Sequence, residues 1–460
     1  MTSLSRASAS RSRTVPKPAP RRLRAEDVVG LLGANVAIIV LMWVRHGGLD
    51  RLGTVGEVAI GVGQLTALVG TFLALLQLVL MSRAPWLDRT FGRDRLTSAH
   101  RWVGFGALWL LVAHGVFTTL GFSLVDGQSF LGEAWTLITT YEFVLMATVS
   151  LVLFAAVGVT SVRQARRKIS YETWYGIHLY AYLAIALGFA HQLVVGSDFV
   201  DDPVARIYWV ALYVVTFGLL IAFRVATPIA VNVRHRFHVS NVVAETDEVV
   251  SVYLSGRHLE DFSMRAGQYV IVRFLTRHGW WRAHPYSISA QPNGRWLRLT
   301  VKALGEDSAR LAHLPTGTRA IVEGPYGNMT PERQSSSRVL LVAGGIGVTP
   351  LRALLEELSA TAHVILLYRA RSAADLVFRT ELDLLAERRG VEVRYLVGSR
   401  RDQPSGRDPL GSRSIAALVP DVAERDVFLC GPNAMMQSVA ATVVGLGVPP
   451  DRVHRERFDD

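Results

Sequence analysis

Four histidines carry the first chemical signal in this chain. Between His46 and His235, imidazoles occur only at His100, His114, His178 and His191. The first pair closes the stretch HRWVGFGALWLLVAH and the second closes HLYAYLAIALGFAH, both almost wholly apolar. At 1.5 Å per residue, helical spacings of 14 and 13 residues rise about 21 and 20 Å. Two such helices lying side by side form two rungs, with His100 facing His178 and His114 facing His191. Each rung is an axial pair suited to a haem iron. Placing an ionisable side chain in an apolar helix costs free energy, and coordination offsets that cost. The bland alternative, a hydrogen bond from each histidine to a neighbouring helix, explains one such residue better than four on two rungs. A zinc or di-iron centre fits less well, because about 20 Å separates the rungs and no acidic residue accompanies them inside the segments.

The phases of the two spacings differ. Fourteen residues return to within about 40° of the starting face of a helix, whereas thirteen end about 140° away. The second helix is therefore either distorted, with Gly188 the natural place, or holds its two groups offset around its axis.

These side chains need membrane helices to position them. Half of the 460 residues are apolar, and six stretches reach or approach the roughly 20 residues that cross a bilayer. They are Val28 to Val44, Val58 to Met81, His100 to Phe122, Thr136 to Val159, Tyr171 to Val195 and Ile207 to Ala226. Lys and Arg concentrate in the tail before the first stretch and in the loops after the second and fourth, which predicts both termini in the cytoplasm. The alternate loops hold only Arg45, Arg51 and Arg206. No signal peptide with a small-residue cleavage site is visible, and residues 1–25 read as a disordered basic tail near anionic lipid.

The net charge of +11 does not point to nucleic acid, since much of it is this loop asymmetry. Three lysines against 46 arginines look more like codon bias. One cysteine, Cys430, holds neither an iron–sulfur cluster, which takes about four ligands, nor an internal disulfide.

After Pro228 short alternating runs such as FHVSNVVAE, VVSVYLSG, YVIVRFL and WLRLTVKAL predict an antiparallel barrel. From Arg338 the pattern turns to strands alternating with helices, and VLLVA suits a buried parallel strand. The glycine loop GGIGVTP follows it. There Gly344, Gly345 and Gly347 would let the backbone approach a pyrophosphate, with Thr349 beside them and Pro350 in the first turn of the next helix. The expected fold is thus a multi-domain membrane protein. A six-helix transmembrane bundle over 26–228 precedes an antiparallel β-barrel over 229–334 and an α/β parallel-sheet nucleotide-binding domain over 335–460.

The histidine pattern, His-x13-His on one helix and His-x12-His two helices later, resembles the ferric reductase-like membrane domain shared by NADPH oxidases and ferric-chelate reductases. That resemblance covers about Arg24 to Ala226 and implies two b-type haems stacked across the membrane. The stretch HPYSIS, from His284 through Pro285, Tyr286 and Ser287, resembles the flavin motif of the ferredoxin–NADP reductase superfamily, where Phe and Thr are common in place of Tyr and Ser. It implies FAD, with the Tyr286 ring on the isoalloxazine and the Ser287 hydroxyl at its N5 edge.

VKALGEDS would hold the FAD diphosphate through Gly305 and Ser308. EGPYGNM from Glu323 resembles the turn that closes this domain. VFLCGPNAMM resembles the family's Cys-Gly-Pro motif beside the nicotinamide, here Cys430, Gly431 and Pro432. Arg369 and Arg371 end the next strand where they would clamp a 2′-phosphate, so NADPH is preferred, with NADH possible. An aromatic near the C-terminus often covers the flavin in this superfamily, and Phe458 matches, with Glu456 close by.

The expected activity is electron transfer from cytosolic NADPH through FAD and two haems to an acceptor outside the cell membrane. Flavin mediates because it accepts a hydride and releases single electrons. Arg95, Arg101, Arg167 and Lys168 are candidates for haem propionates or for docking the flavin domain. Ferric iron or its chelate is the expected acceptor. Oxygen reduced to superoxide is the alternative, a periplasmic protein partner a further one, and a non-redox scaffold the last. Eight acidic residues in the outward loops, Asp50, Glu57, Asp126, Glu133, Glu142, Asp198, Asp201 and Asp202, would attract cationic metal.

Overall fold

A computed structural model describes residues 25–50, 52–162, 166, 168–196, 202–277, 279–398 and 408–456. The basic tail, Asp198, Asp201, Arg51, Arg167 and Phe458 fall outside those residues.

Among the described residues, six helices are long and apolar enough to cross a membrane. They are α1 (Ala25–Trp43), α2 (Val55–Leu80), α4 (Arg93–Asp126), α6 (Val144–Ser161), α7 (Tyr171–Val195) and α8 (Pro203–Leu220). Two short helices, α3 (Pro85–Phe91) and α5 (Phe130–Thr140), join them. Thr54 starts α2 with a capping box through Glu57, which satisfies donors the first turn leaves open.

Two expectations need correction. The fourth apolar stretch is not one helix: α5 stops at Thr140 and α6 restarts at Val144. Phe143, at φ 62°, takes the left-handed conformation that turns the chain, and its apolar side chain hides that turn in the hydropathy. The boundary expected at 228 also falls inside helix. After α8 the chain makes one π-turn, Ile221–Ala226, and continues as α9, Thr227–His235. Pro228 sits in the first turn of α9, where its missing N–H costs nothing.

Two three-stranded antiparallel sheets follow. One orders β1 (His238–Thr246), β2 (Val249–Ser255) and β5 (Trp296–Lys302); the other orders β4 (His284–Ser287), β3 (Tyr269–Phe274) and β6 (Ala320–Tyr326). Single bridges between Ile288 and Leu299 and between His238 and Arg319 stitch the sheets into a barrel. The helix α10 (Glu306–Arg310) lies between β5 and β6.

The last unit is a parallel five-stranded sheet, ordered β11-β10-β7-β8-β9. Its strands are β7 (Arg338–Gly344), β8 (His363–Ala370), β9 (Glu392–Val397), β10 (Asp426–Cys430) and β11 (Val453–Arg455). Helices α11 (Val348–Glu357), α12 (Arg379–Arg389), α13 (Ser412–Leu418) and α14 (Asn433–Gly445) connect them. Along β7, Val339, Leu341 and Ala343 enter one core and Leu340 and Val342 the opposite one. Burial on both faces is why this strand reads as an unbroken apolar run.

Candidate functional site

α4 and α7 bring the histidines together in the expected pairs. The ring centres of His100 and His178 are 5.9 Å apart, with the planes 64° to each other. An ion held between two imidazole nitrogens at about 2 Å from each would separate ring centres by about 6 Å. The rung therefore fits one metal ion between its rings. His114 lies within electrostatic reach of His191.

The far nitrogens of these rings decide which nitrogen faces the gap. His100 Nδ1 donates to the Gln77 carbonyl at 3.1 Å, and His114 Nδ1 donates to the Gly63 carbonyl at 3.0 Å. A carbonyl only accepts, so both rings carry their proton on Nδ1 and present a bare Nε2. That is the tautomer a metal-ligating histidine needs. His178 Nδ1 lies 3.5 Å from Ser161 Oγ, which also accepts from Trp174 Nε1 at 3.2 Å. His191 Nδ1 is buried without a hydrogen-bond partner. α7 is helical throughout Tyr171–Val195, so its two histidines leave different faces of an unbroken helix.

Gly63 and Gln77 were not singled out from the sequence, yet they are spaced as His100 and His114 are, on a helix antiparallel to α4. Small residues make the close approach. A Cβ on Gly63 would lie 2.5 Å from Thr118 Oγ1, and one on Gly121 would lie 2.8 Å from the Gly56 carbonyl. At Gly63 only glycine lets the α2 carbonyl reach the α4 imidazole.

β4 carries the flavin motif. Ser287 is buried, Tyr286 packs against the barrel core, and His284 lies with Asp307 of α10 at 3.7 Å. Burial raises the Tyr286 phenol above its usual range, so it stays neutral. Ser308 spends its hydroxyl on the turn itself: it accepts from Leu304 and Gly305 N–H and donates to the Gly305 carbonyl.

The glycine loop and the Cys-Gly-Pro motif meet at the carboxyl ends of β7 and β10. These strands are neighbours from which the chain winds outward in opposite directions, the crevice where open α/β sheets bind ligands. A Cβ on Gly347 would lie 2.3 Å from the Cys430 carbonyl, and Gly431 adopts φ 154° with Gly344 Cα at 3.0 Å from its own added Cβ. Gly345 adopts φ 53° with open space where a side chain would stand. Thr349 Oγ1 caps back to the Ile346 carbonyl at 3.0 Å, and Pro350 is buried.

Cys430 is fully buried, and burial raises its thiol above the usual range, which disfavours the thiolate. Arg369 donates to the Leu396 carbonyl at 2.8 Å and to Ala370 at 3.3 Å. Arg371 is exposed, which leaves it the better placed of the two for a phosphate.

One cavity of ≈ 3030 Å³ is lined by His100 and His178 of one rung, by Tyr286, Ser287, Gly305 and Ser308 of the barrel, and by Gly344, Gly347, Thr349, Arg371 and Cys430 of the parallel-sheet unit; His114 and His191 are not in its lining. Arg101, Arg93, Arg166 and Arg224 line the histidine end; Arg95 and Lys168 do not. The cavity thus brings one histidine rung together with the motifs of the FAD-binding and NAD-binding domains.

A junction invisible in the sequence holds the membrane helices to the barrel. Arg83, at φ 65° between α2 and α3, pairs with Glu323 and donates to Tyr326 Oη at 3.2 Å. Glu323 also pairs with Arg273 at 3.0 Å. Asn328 Nδ2 donates to the Asp88 carbonyl at 2.7 Å, and its N–H to Glu456 at 3.3 Å. Asn232 of α9 exchanges two hydrogen bonds of 2.8 Å with the Val322 backbone.

Three family descriptions match the chain: "Ferric reductase like transmembrane component" over residues 66–189, "FAD-binding domain" over 234–330 and "Oxidoreductase NAD-binding domain" over 341–441. Among curated relatives, a flavohemoprotein of Chromobacterium violaceum is 31% identical over 48% of this chain and 60% of its own length. The chain thus spans less than two thirds of that relative. Ferredoxin–NADP reductase B of Sorangium cellulosum is 35% identical, over 43% of this chain and 86% of its own. Among solved structures, the flavohem-like FAD/NAD-binding domain of nitric oxide dioxygenase from Vibrio cholerae is 23% identical with a TM-score of 0.41, covering 49% of this chain and 99% of its own.

Proposed function

From a chain that belongs to the ferric reductase-like, NADPH oxidase-type flavocytochromes, with a reductase module of the ferredoxin–NADP reductase family, we propose transmembrane electron transfer to ferric iron or its chelate. Members of these families are NAD(P)H-dependent oxidoreductases, and the six apolar helices make this one multi-pass. The observation that carries the proposed electron path is the cavity joining the His100–His178 rung to the flavin and nucleotide motifs.

In this reading the six-helix domain runs to the end of α9, the FAD domain follows it to 334 and the nucleotide domain occupies 335–460, and both termini face the cytoplasm of a cell membrane. His100 with His178, and His114 with His191, would hold two b-type haems. His284 through Ser287, with Gly305, would hold FAD. Gly344 through Pro350, Cys430 through Pro432 and Arg371 would hold NADPH. When bound, flavin supplies the exchange between hydride and single electrons, and haem iron takes electrons singly.

The chain's own residues fix where this happens. The Gln77 and Gly63 carbonyls hold two imidazoles in the ligating tautomer. The Arg83–Glu323 pair holds the barrel against the rung nearer to it. Phe458 is proposed to cover the flavin.

At the opposite face Glu57 caps α2, Asp202 caps α8 and pairs with His46, and Glu133 is buried. Asp50, Asp126 and Glu142 are the described outward carboxylates left open to a cation. The test is to reduce the detergent-purified chain anaerobically with NADPH while following the haem bands, then to mix it with anoxic ferric citrate or with oxygenated buffer. Faster reoxidation by ferric citrate supports the proposal. Faster reoxidation by oxygen, with superoxide formed in step, makes the chain an oxidase, and slow reoxidation by both points to a protein acceptor. No haem reduction by NADPH overturns the path itself.

A further inference from the structure

The barrel exposes two adjacent tryptophans where it approaches the membrane helices. Trp280 and Trp281, between β3 and β4, are 57% and 55% exposed. Leu275, at the start of the same loop, is 41% exposed, and Arg277 is exposed beside it. Large apolar side chains clustered at one loop tip on a water-soluble module mark a surface meant to be covered.

The position of the loop says by what. Trp281 and Arg282 line the cavity together with Glu172, Trp174 and Tyr175 from the first turn of α7, where that helix leaves its apolar span. Glu172 is among the carboxylates acting on the Arg282 guanidinium, after its ion-pair partner Asp307. The loop thus stands level with the end of a membrane span. Other exposed aromatics lie at that end of the bundle: Trp102, two residues from His100, is 73% exposed, and Tyr175 and Trp86 are also exposed. Tryptophan and tyrosine collect at the headgroup level, where a flat amphipathic ring has both apolar and polar neighbours, and arginine is drawn to anionic headgroups.

We propose that the loop tip formed by Leu275, Trp280 and Trp281, with Arg277, is a lipid-interface anchor of the flavin module, seated in the leaflet that faces the barrel. It continues the aromatic belt of the spans onto a domain with no span of its own. The anchor works beside the Arg83–Glu323 junction: the ion pair fixes one edge of the barrel to the helices, and the tryptophans hold a second edge to the lipid. The proposal rests on the reading of the six helices as embedded in a bilayer.

The chain's one cysteine is buried, so a nitroxide attached to an introduced cysteine reports one place. The full chain carrying Trp280→Cys, in nanodiscs of phosphatidylcholine and phosphatidylglycerol, is compared with Val152→Cys on the exposed face of α6 and Glu387→Cys on α12. Collision of the label with oxygen and with a water-soluble nickel chelate is read by electron paramagnetic resonance. The expected result is a severalfold higher oxygen-to-nickel ratio at Trp280→Cys than at Glu387→Cys, approaching that at Val152→Cys. Leu275→Cys, on the same loop, should behave alike. A ratio at both loop positions equal to that at Glu387→Cys overturns the anchor. A water-like ratio at Val152→Cys as well overturns the membrane reading beneath it.

Discussion

Arg83 and Glu323, 240 residues apart in the chain, form an ion pair in which both side chains are mostly buried. This pair joins the turn after the second helix to the last strand of the barrel. Removing one member of a hydrogen-bonded charge pair costs about 1.5–3 kcal/mol, which is tenfold or more in the population of the docked state. Arg83→Met should therefore slow reduction of the haems by NADPH at least severalfold. Ferricyanide reduction, which draws on the flavin directly, should keep its rate. Stopped-flow traces of the two reactions separate docking from flavin chemistry.

Gly63→Ala places a methyl group 2.5 Å from Thr118 Oγ1 and 3.0 Å from the Thr118 N–H nitrogen. The backbone contact cannot be relieved by a rotamer change, so α2 must move away from α4 and withdraw its carbonyl from His114. Overpacking of this kind costs about 1–3 kcal/mol. A potentiometric titration should show the haem on His114 and His191 shifted or lost, with the other retained.

Arg371→Ala should raise KM for NADPH about tenfold or more, the loss expected of one charge-assisted contact, and leave KM for NADH nearly unchanged. Arg369→Ala should affect both nucleotides alike, since its guanidinium serves the carbonyls of the strand ends. Steady-state kinetics with the two nucleotides distinguishes the residues.

Gly347→Ala sets a methyl group 2.3 Å from the Cys430 carbonyl, forcing apart the two loops at the sheet's switch point. NADPH should then fail to reduce the flavin, whereas dithionite should still reduce the haems. Loss of both reductions would mean that the fold itself had failed.

His454, on the edge strand β11, stacks on Phe428 with ring centres 4.7 Å apart. Burial lowers its folded pKa below the ordinary 6.5, so the unfolded chain binds the proton more readily. Stability from this group is present above about pH 6.5 and is lost as pH falls from there through the lower folded value. Thermal unfolding of the parent should weaken more steeply than that of His454→Phe as pH is lowered across that window.

Much of the fold was legible because a membrane span and a parallel core strand write themselves as continuous apolar runs, and because four histidines in such runs have few structural uses. The turn at Phe143 was not legible, since an apolar residue in the left-handed conformation leaves no trace in hydropathy. The carbonyls of Gly63 and Gln77 escaped notice for another reason: every residue has a carbonyl, and only the approach of two helices selects these two. Glu323 was read as part of a closing turn, not as the partner of Arg83, because no local pattern links positions so far apart. The arginines near the histidines were noticed as a group, but which of them face the cavity depends on helix phase.

The uninterrupted run from α8 through the π-turn into α9 carries Asn232 in its last turn, whose amide grips the Val322 backbone as a further strand would. The sixth span is thus a lever with its handle fixed in the barrel. Hydrophobic mismatch tilts a span to suit its bilayer, so on the proposed membrane reading a change in bilayer thickness would pull on the barrel through Asn232.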